Sequence, residues 1–132
     1  MGDKLYVSGQ IGFSEGLAVS DDPETQFTAA FEHVKAVLAG AGKTMADIVE
    51  MTTFHVGLQA HANTFLAVKD KYIDAPYPAW TAIGIEELFV PGALVEIKVI
   101  ALDASGSASL GSFTLSGIAP NRVGMPQVAP PP

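Results

Sequence analysis

Glu96 is the residue of this sequence best placed to move a proton, because it interrupts the apolar run Val95-Glu96-Ile97, where a carboxylate must find a partner or water. Desolvation at such a position raises a carboxyl pKa toward the range useful for acid and base work. Pairing with nearby Lys98, or with a group at a subunit interface, is the plainer role for the same residue. Trp80 is the second candidate. It follows Tyr77-Pro78-Ala79 on a short apolar segment, where an indole roofs a small-molecule cleft or simply fills a core or an interface.

The rest of the chemistry is sparse. His33, His55 and His61 are the three histidines, and no HExxH or other ligand spacing ties them to carboxylates, so no metal is expected. His33 reads as a flanking surface residue of a helix. His55 alternates with Thr53 and Met51 on a strand face and reads either as a packed, hydrogen-bonded imidazole or as a site residue. Ser8, in Val7-Ser8-Gly9-Gln10, lacks the GxSxG elbow of a serine hydrolase, and the glycines beside it do not form the GxGxxG of a dinucleotide site. No cofactor is therefore expected. Cysteine is absent, which excludes disulfides and thiolate nucleophiles and suits a reducing cytoplasm.

Charge narrows the partners further. Fourteen acidic residues against seven basic ones give a net charge of -7 with no Lys/Arg cluster, a poor match to a phosphate backbone, so nucleic acid is not expected as a partner. No basic leader and no membrane-length apolar run is present, so a soluble cytoplasmic protein without membrane contact is expected.

The elements that must position these residues follow from the apolar spacing of a chain long enough for one core. Lys4 to Ser8 suits a short strand ending at Gly9. Asp22 caps a helix that begins at Pro23 and ends at Gly40 and Gly42, with Phe27, Ala30, Phe31, Val34, Val37 and Leu38 on one face. A strand over 47–57 places Ile48, Thr52, Phe54 and Val56 on one side and Val49, Met51, Thr53 and His55 on the other. A helix over 60–73 turns Phe65, Val68 and Tyr72 inward and Lys69, Asp70 and Lys71 mostly to solvent. Two further segments, 79–85 and 93–102, flank a Pro91-Gly92 turn and are expected to pair antiparallel. The second of them carries a purely apolar face, Val95, Ile97, Val99 and Ala101, for the helices, and a mixed face of Leu94, Glu96, Lys98 and Ile100. That mixed face is too apolar for open solvent and is expected to meet another copy of the chain. Residues 1–103 form the expected domain. Residues 104–132 form a Gly-, Ser- and Pro-rich tail with room for one extra strand at 113–118.

Three blocks of this sequence resemble the Rid superfamily, also called YjgF-like and historically labelled the L-PSP endoribonuclease family. They are Leu5-Tyr6-Val7-Ser8-Gly9-Gln10-Ile11-Gly12, then Ala39-Gly40-Ala41-Gly42 with Asp47-Ile48-Val49 and Thr52-Thr53-Phe54, then Tyr77-Pro78-Ala79-Trp80-Thr81-Ala82 through Pro91-Gly92-Ala93-Leu94-Val95-Glu96-Ile97. The resemblance implies an α+β, chorismate-mutase-like two-layer fold with two helices on one face of a mixed sheet. It also implies a homotrimer with small-molecule ligands in clefts between subunits, and hydrolysis of 2-imino acids or their enamine tautomers to 2-keto acids and ammonia. Glu96 takes the position of the catalytic glutamate. Ser8 and Gly9 of the Ser-Gly-Gln block, together with Lys69 at the position of a helix asparagine, fall to substrate binding. Trp80 stands where the family's archetypes carry an arginine that clamps the substrate carboxylate, and an indole has no charge and a single donor. A strand that precedes the Ser-Gly-Gln block in relatives has no counterpart here, and 113–118 is the segment that could fill its place. Ordinary 2-imino acid deamination is accordingly expected to be weak or absent. Two readings stay open: hydrolysis of a less anionic imine, enamine or carbonyl compound, and a non-enzymatic sensor or interaction module on the same trimer.

Overall fold

The computed structural model describes residues 4–14, 16 and 18–102; the tail and its expected strand at 113–118 lie outside the described residues. The chain order is β1 (Lys4–Ile11), α1 (Pro23–Gly40), a 3-10 turn (Met45–Asp47), β2 (Ile48–Val56), α2 (Leu58–Tyr72), β3 (Ala79–Ile85) and β4 (Val95–Leu102). The four strands form one mixed sheet in the order β1-β4-β2-β3, and both helices pack on the same face of it. This is the expected α+β two-layer fold.

Local chemistry starts each helix. Asp22 accepts hydrogen bonds from the Thr25 amide at 3.0 Å and the Thr25 hydroxyl at 2.6 Å, and Pro23 occupies a first-turn position that needs no donor. Gly57, at φ +74°, makes the reversal from β2 into α2, a left-handed conformation that favours glycine. The α1 stripe of Phe27, Ala30, Phe31, Val34 and Leu38 is fully buried. Val37 departs from it at 43 % exposure, because a 3.6-residue repeat sets it about 80° from the centre of that stripe.

The sheet corrects the sequence reading in three places. β3 and β4 do not pair with each other: β3 lies parallel to β2, and β4 is inserted antiparallel between β1 and β2. The physical reason is burial. Val95, Ile97, Val99 and Ala101 are all covered and demand a central position, whereas most of β3 is exposed and tolerates an edge. α2 supplies the crossover that a parallel β2/β3 pair requires. Ile48 also changes sides. A register shift between Ile48 and Glu50 rotates it onto the helix-covered face with Met51, Thr53 and His55. Finally, β1 does not end at Gly9 but continues to Ile11 through an irregularity between Val7 and Gln10.

The core gathers around Phe65 of α2. Its ring lies 5.3 Å from Phe27 and 5.6 Å from Phe31 of α1, 4.7 Å edge-on from His55 of β2, and 6.1 Å from Trp80 of β3. Lys69, one helical turn later, follows Phe65 onto this face and is only 7 % exposed, which corrects its expected solvent position. The opposite sheet face carries Tyr6, Phe54, Ile83 and Ile100 with Glu96 and Lys98, and Tyr6 is 70 % exposed.

One buried polar side chain ties the layers together. Gln26 donates to the Ser20 and Gly92 carbonyls at 3.1 and 3.2 Å and accepts from the Leu94 amide at 2.6 Å, so it anchors the approach to β4 on α1. Gln26→Leu should therefore lower unfolding free energy by roughly 2–4 kcal/mol, since it leaves buried backbone groups unpaired. Urea denaturation monitored by circular dichroism reads this, and an unchanged midpoint would contradict it.

Candidate functional site

Glu96 projects from β4 away from the helices, opposite Phe54 of β2 and Ile11 of β1. Its carboxylate lies across Gly9, so closely that a Cβ built on Gly9 would fall onto the carboxyl group. Gly9 thus contributes space: any side chain there would evict Glu96. Ser8 beside it is exposed, and its carbonyl accepts from Gln10 Nε2 at 3.1 Å. Among the described residues no hydrogen bond or ion pair engages the Glu96 carboxylate, and the pairing with Lys98 is not formed. The group is half-buried and available.

Trp80 and Lys69 lie on the other face. Trp80 sits beside Met51 in the β2/β3 register, on the side covered by α2, and its Nε1 donates to Thr53 Oγ1 at 3.0 Å. Thr53 Oγ1 is also 2.7 Å from His55 Nε2. An indole N–H can only donate, so the threonine oxygen accepts from it, while the same hydroxyl shares its other hydrogen bond with a neutral His55 ring. Burial drives His55 to that state, pushing its pKa from the usual 6.5 down to about 4. His55, 2 % exposed against Phe65, is a packed imidazole that holds Trp80 through Thr53. His33 is likewise half-buried rather than a surface residue, with Nδ1 3.0 Å from the Ile11 carbonyl.

Lys69 Nζ lies 4.8 Å from the Trp80 ring centroid and 5.5 Å from that of Tyr77. Desolvation lowers its pKa, partly opposed by the charge of Asp70. The five residues expected at the site therefore form two groups, Ser8, Gly9 and Glu96 on the outer sheet face and Lys69 and Trp80 on the helix side. No single chain presents both groups to one ligand. Thr53 and Tyr77 were not singled out by the sequence reading. The Thr53-His55 spacing of two on one strand face was a usable signal for the first, but nothing local marks Tyr77 as a partner of Lys69. Among the described residues no three His, Asp or Glu side chains converge as metal ligands would, and no helix is long and apolar enough to cross a membrane.

Residues 1–103 match the model of the family described as Endoribonuclease L-PSP. The chain is 41 % identical over 101 residues to the RutC family protein YjgH of Escherichia coli K12, covering 76 % of each chain. It is 31 % identical over 105 residues to a 2-iminobutanoate/2-iminopropanoate deaminase of Dermatophagoides farinae, covering 76 % of this chain and 78 % of the relative. The crystal structure of RidA from an Antarctic Psychrobacter superposes with a TM-score of 0.71 at 29 % identity, covering 77 % of this chain and 82 % of the other.

The buried imidazole has a measurable consequence. His55 binds a proton less readily in the folded chain than in the unfolded one, so stability should fall as pH drops from about 6.5 to about 4 and be unaffected by this residue above that window. The loss approaches roughly 3 kcal/mol at about 1.4 kcal/mol per pH unit. Comparing urea midpoints at several pH values in wild type and His55→Gln checks this: the variant should show a shallower acid slope, and parallel slopes would contradict it.

Proposed function

Since the chain belongs to the endoribonuclease L-PSP, or Rid, family, we propose that it binds a small imine, enamine or carbonyl metabolite in clefts between copies of itself and hydrolyses the imine. The observation that carries this reading is Glu96, half-buried, without a partner among the described residues and lying over a glycine that makes room for it; the resemblance in sequence is what assigns it the catalytic role. The relative named as a 2-iminobutanoate/2-iminopropanoate deaminase supports the reaction class. In the reaction the Glu96 carboxylate takes a proton from water as its oxygen attacks the imine carbon. It passes that proton to the nitrogen, giving a carbinolamine, and then carries the carbinolamine's hydroxyl proton to the same nitrogen as the carbon–nitrogen bond breaks, leaving a carbonyl product and ammonia.

The assembly follows from the split between sheet faces. A cleft that uses both Glu96 and Trp80 must take them from different copies, and the outer face with Tyr6, Phe54, Ile83 and Ile100 offers the apolar surface for a homotrimer. The domain of residues 1–103 carries the whole cleft, and the cysteine-free chain suits the cytoplasm. The net charge of -7 argues against RNA as the substrate despite the family's label.

Trp80 sets the limit on the reaction. Its only donor is engaged by Thr53, so it meets a ligand with its ring face and offers no fork for a carboxylate. Ordinary 2-imino acids are therefore poor substrates. The same observation favours a second reading, a sensor or interaction module that holds its ligand without turnover.

Ammonia release from a panel of freshly generated imines separates the two. Glu96→Gln should lower kcat about 100-fold or more, and Gly9→Ala, by displacing the carboxylate, should approach the same loss with the trimer intact. Equal rates in wild type and both variants would overturn the catalytic role of Glu96, and an inert wild type would leave the sensor.

A further inference from the structure

Among the described residues Lys69 is a buried cation without a paired anion. It is more than nine-tenths buried, yet among the described residues no carboxylate pairs with it; Asp70 influences it only as its neighbour along α2. An ammonium in such a place is costly unless something compensates the charge. The compensation visible in the chain is aromatic, from the rings of Trp80 at 4.8 Å and Tyr77 at 5.5 Å. Two ring faces satisfy at most two of the three N–H bonds, which leaves one donor and most of the charge unanswered.

The arrangement is also held in place from behind. Trp80 is fixed by its bond to Thr53, and Thr53 in turn by His55, so the indole is a positioned platform and not a mobile wall. Lys69 stands one helical turn from Phe65, the centre of the core, which limits how far its stem can swing. A cation that is buried, unpaired and pre-positioned on aromatic faces is arranged to receive a negative group from outside the chain.

We propose that Lys69, seated on Trp80 and Tyr77, is the anion anchor of the cleft and binds the carboxylate of a small monocarboxylate ligand through a single charge-assisted hydrogen bond. This deepens the reading above, on which it rests for the cleft itself, and revises one expectation drawn from the sequence: replacing the strand arginine by Trp80 does not leave the site without a positive charge. The charge has moved to the helix. As a point charge it grips a carboxylate by one oxygen where a guanidinium grips two, so the expected preference for acids is weaker than an arginine would give. One cation in a chain of net charge -7 answers one negative charge, so dicarboxylates and phosphates are disfavoured. The ring face of Trp80 favours a flat or apolar substituent next to the carboxylate.

Trp80 is the chain's single tryptophan, so its emission reports directly on this position. The full-length protein is titrated with pyruvate and with pyruvamide, its uncharged counterpart. Pyruvate should change Trp80 emission with a Kd at least about tenfold lower than pyruvamide. Lys69→Met should erase that preference, and Lys69→Arg should keep it. Because Met removes a buried charge and retains the apolar stem, the variant should fold at least as stably, which circular dichroism and a thermal midpoint confirm before titration. Equal affinity for the two ligands in wild type, or a preference that survives in Lys69→Met, overturns the anchor. If the preference holds and no imine is turned over, the hydrolytic reading fails and the anchor stands; if imines are turned over and the preference is absent, the reverse is true.

Discussion

The packing of the Phe65 ring is the interaction on which the rest of the molecule depends. It touches both phenylalanines of the α1 stripe, the His55 imidazole of β2 and the Trp80 indole of β3, so one side chain joins the helix layer to the strands that carry the candidate site. Such a centre sets the height and rotation of α2 against the sheet, because close-packed aromatic rings tolerate little displacement. The rotation of α2 then decides where Lys69 goes. A residue four positions after a core aromatic is carried onto the same face whatever its charge.

That placement creates an electrostatic problem which the site turns to use. A buried ammonium without a counter-ion, beside rings that only partly stabilise it, has higher affinity for an incoming anion than a solvated lysine would. On the other sheet face Glu96 is similarly left without a partner among the described residues, its carboxylate accommodated by the bare backbone of Gly9. Each group is kept from satisfying itself within the chain. The sheet between them keeps them from neutralising each other in one protomer, so a cleft between copies would bring unlike charges to one ligand from two sides.

The His55-Thr53-Trp80 chain of hydrogen bonds belongs to the same logic at one remove. The Trp80 indole has a donor and nothing else, so Thr53 Oγ1 accepts from it, and the same hydroxyl is hydrogen-bonded to the neutral His55 ring. Burial thus orients the ring on which Lys69 rests.

The helices, the apolar face of β4 and the family were determined by the sequence alone, because capping residues, 3.6- and 2-residue periodicities and contiguous motif blocks are local properties of the chain. Strand order was decided only by tertiary structure. Whether 79–85 pairs with 93–102 or with 48–56 depends on which strand most needs cover on both sides, a competition no local window contains. The sides taken by Ile48 and Lys69 were likewise settled by a register shift and by the rotation of a helix about Phe65. The settings of Gly9 and Lys69 followed from those decisions: a missing side chain matters only once Glu96 lies over it, and a lysine lacks an ion pair among the described residues only once the fold has buried it against aromatic rings.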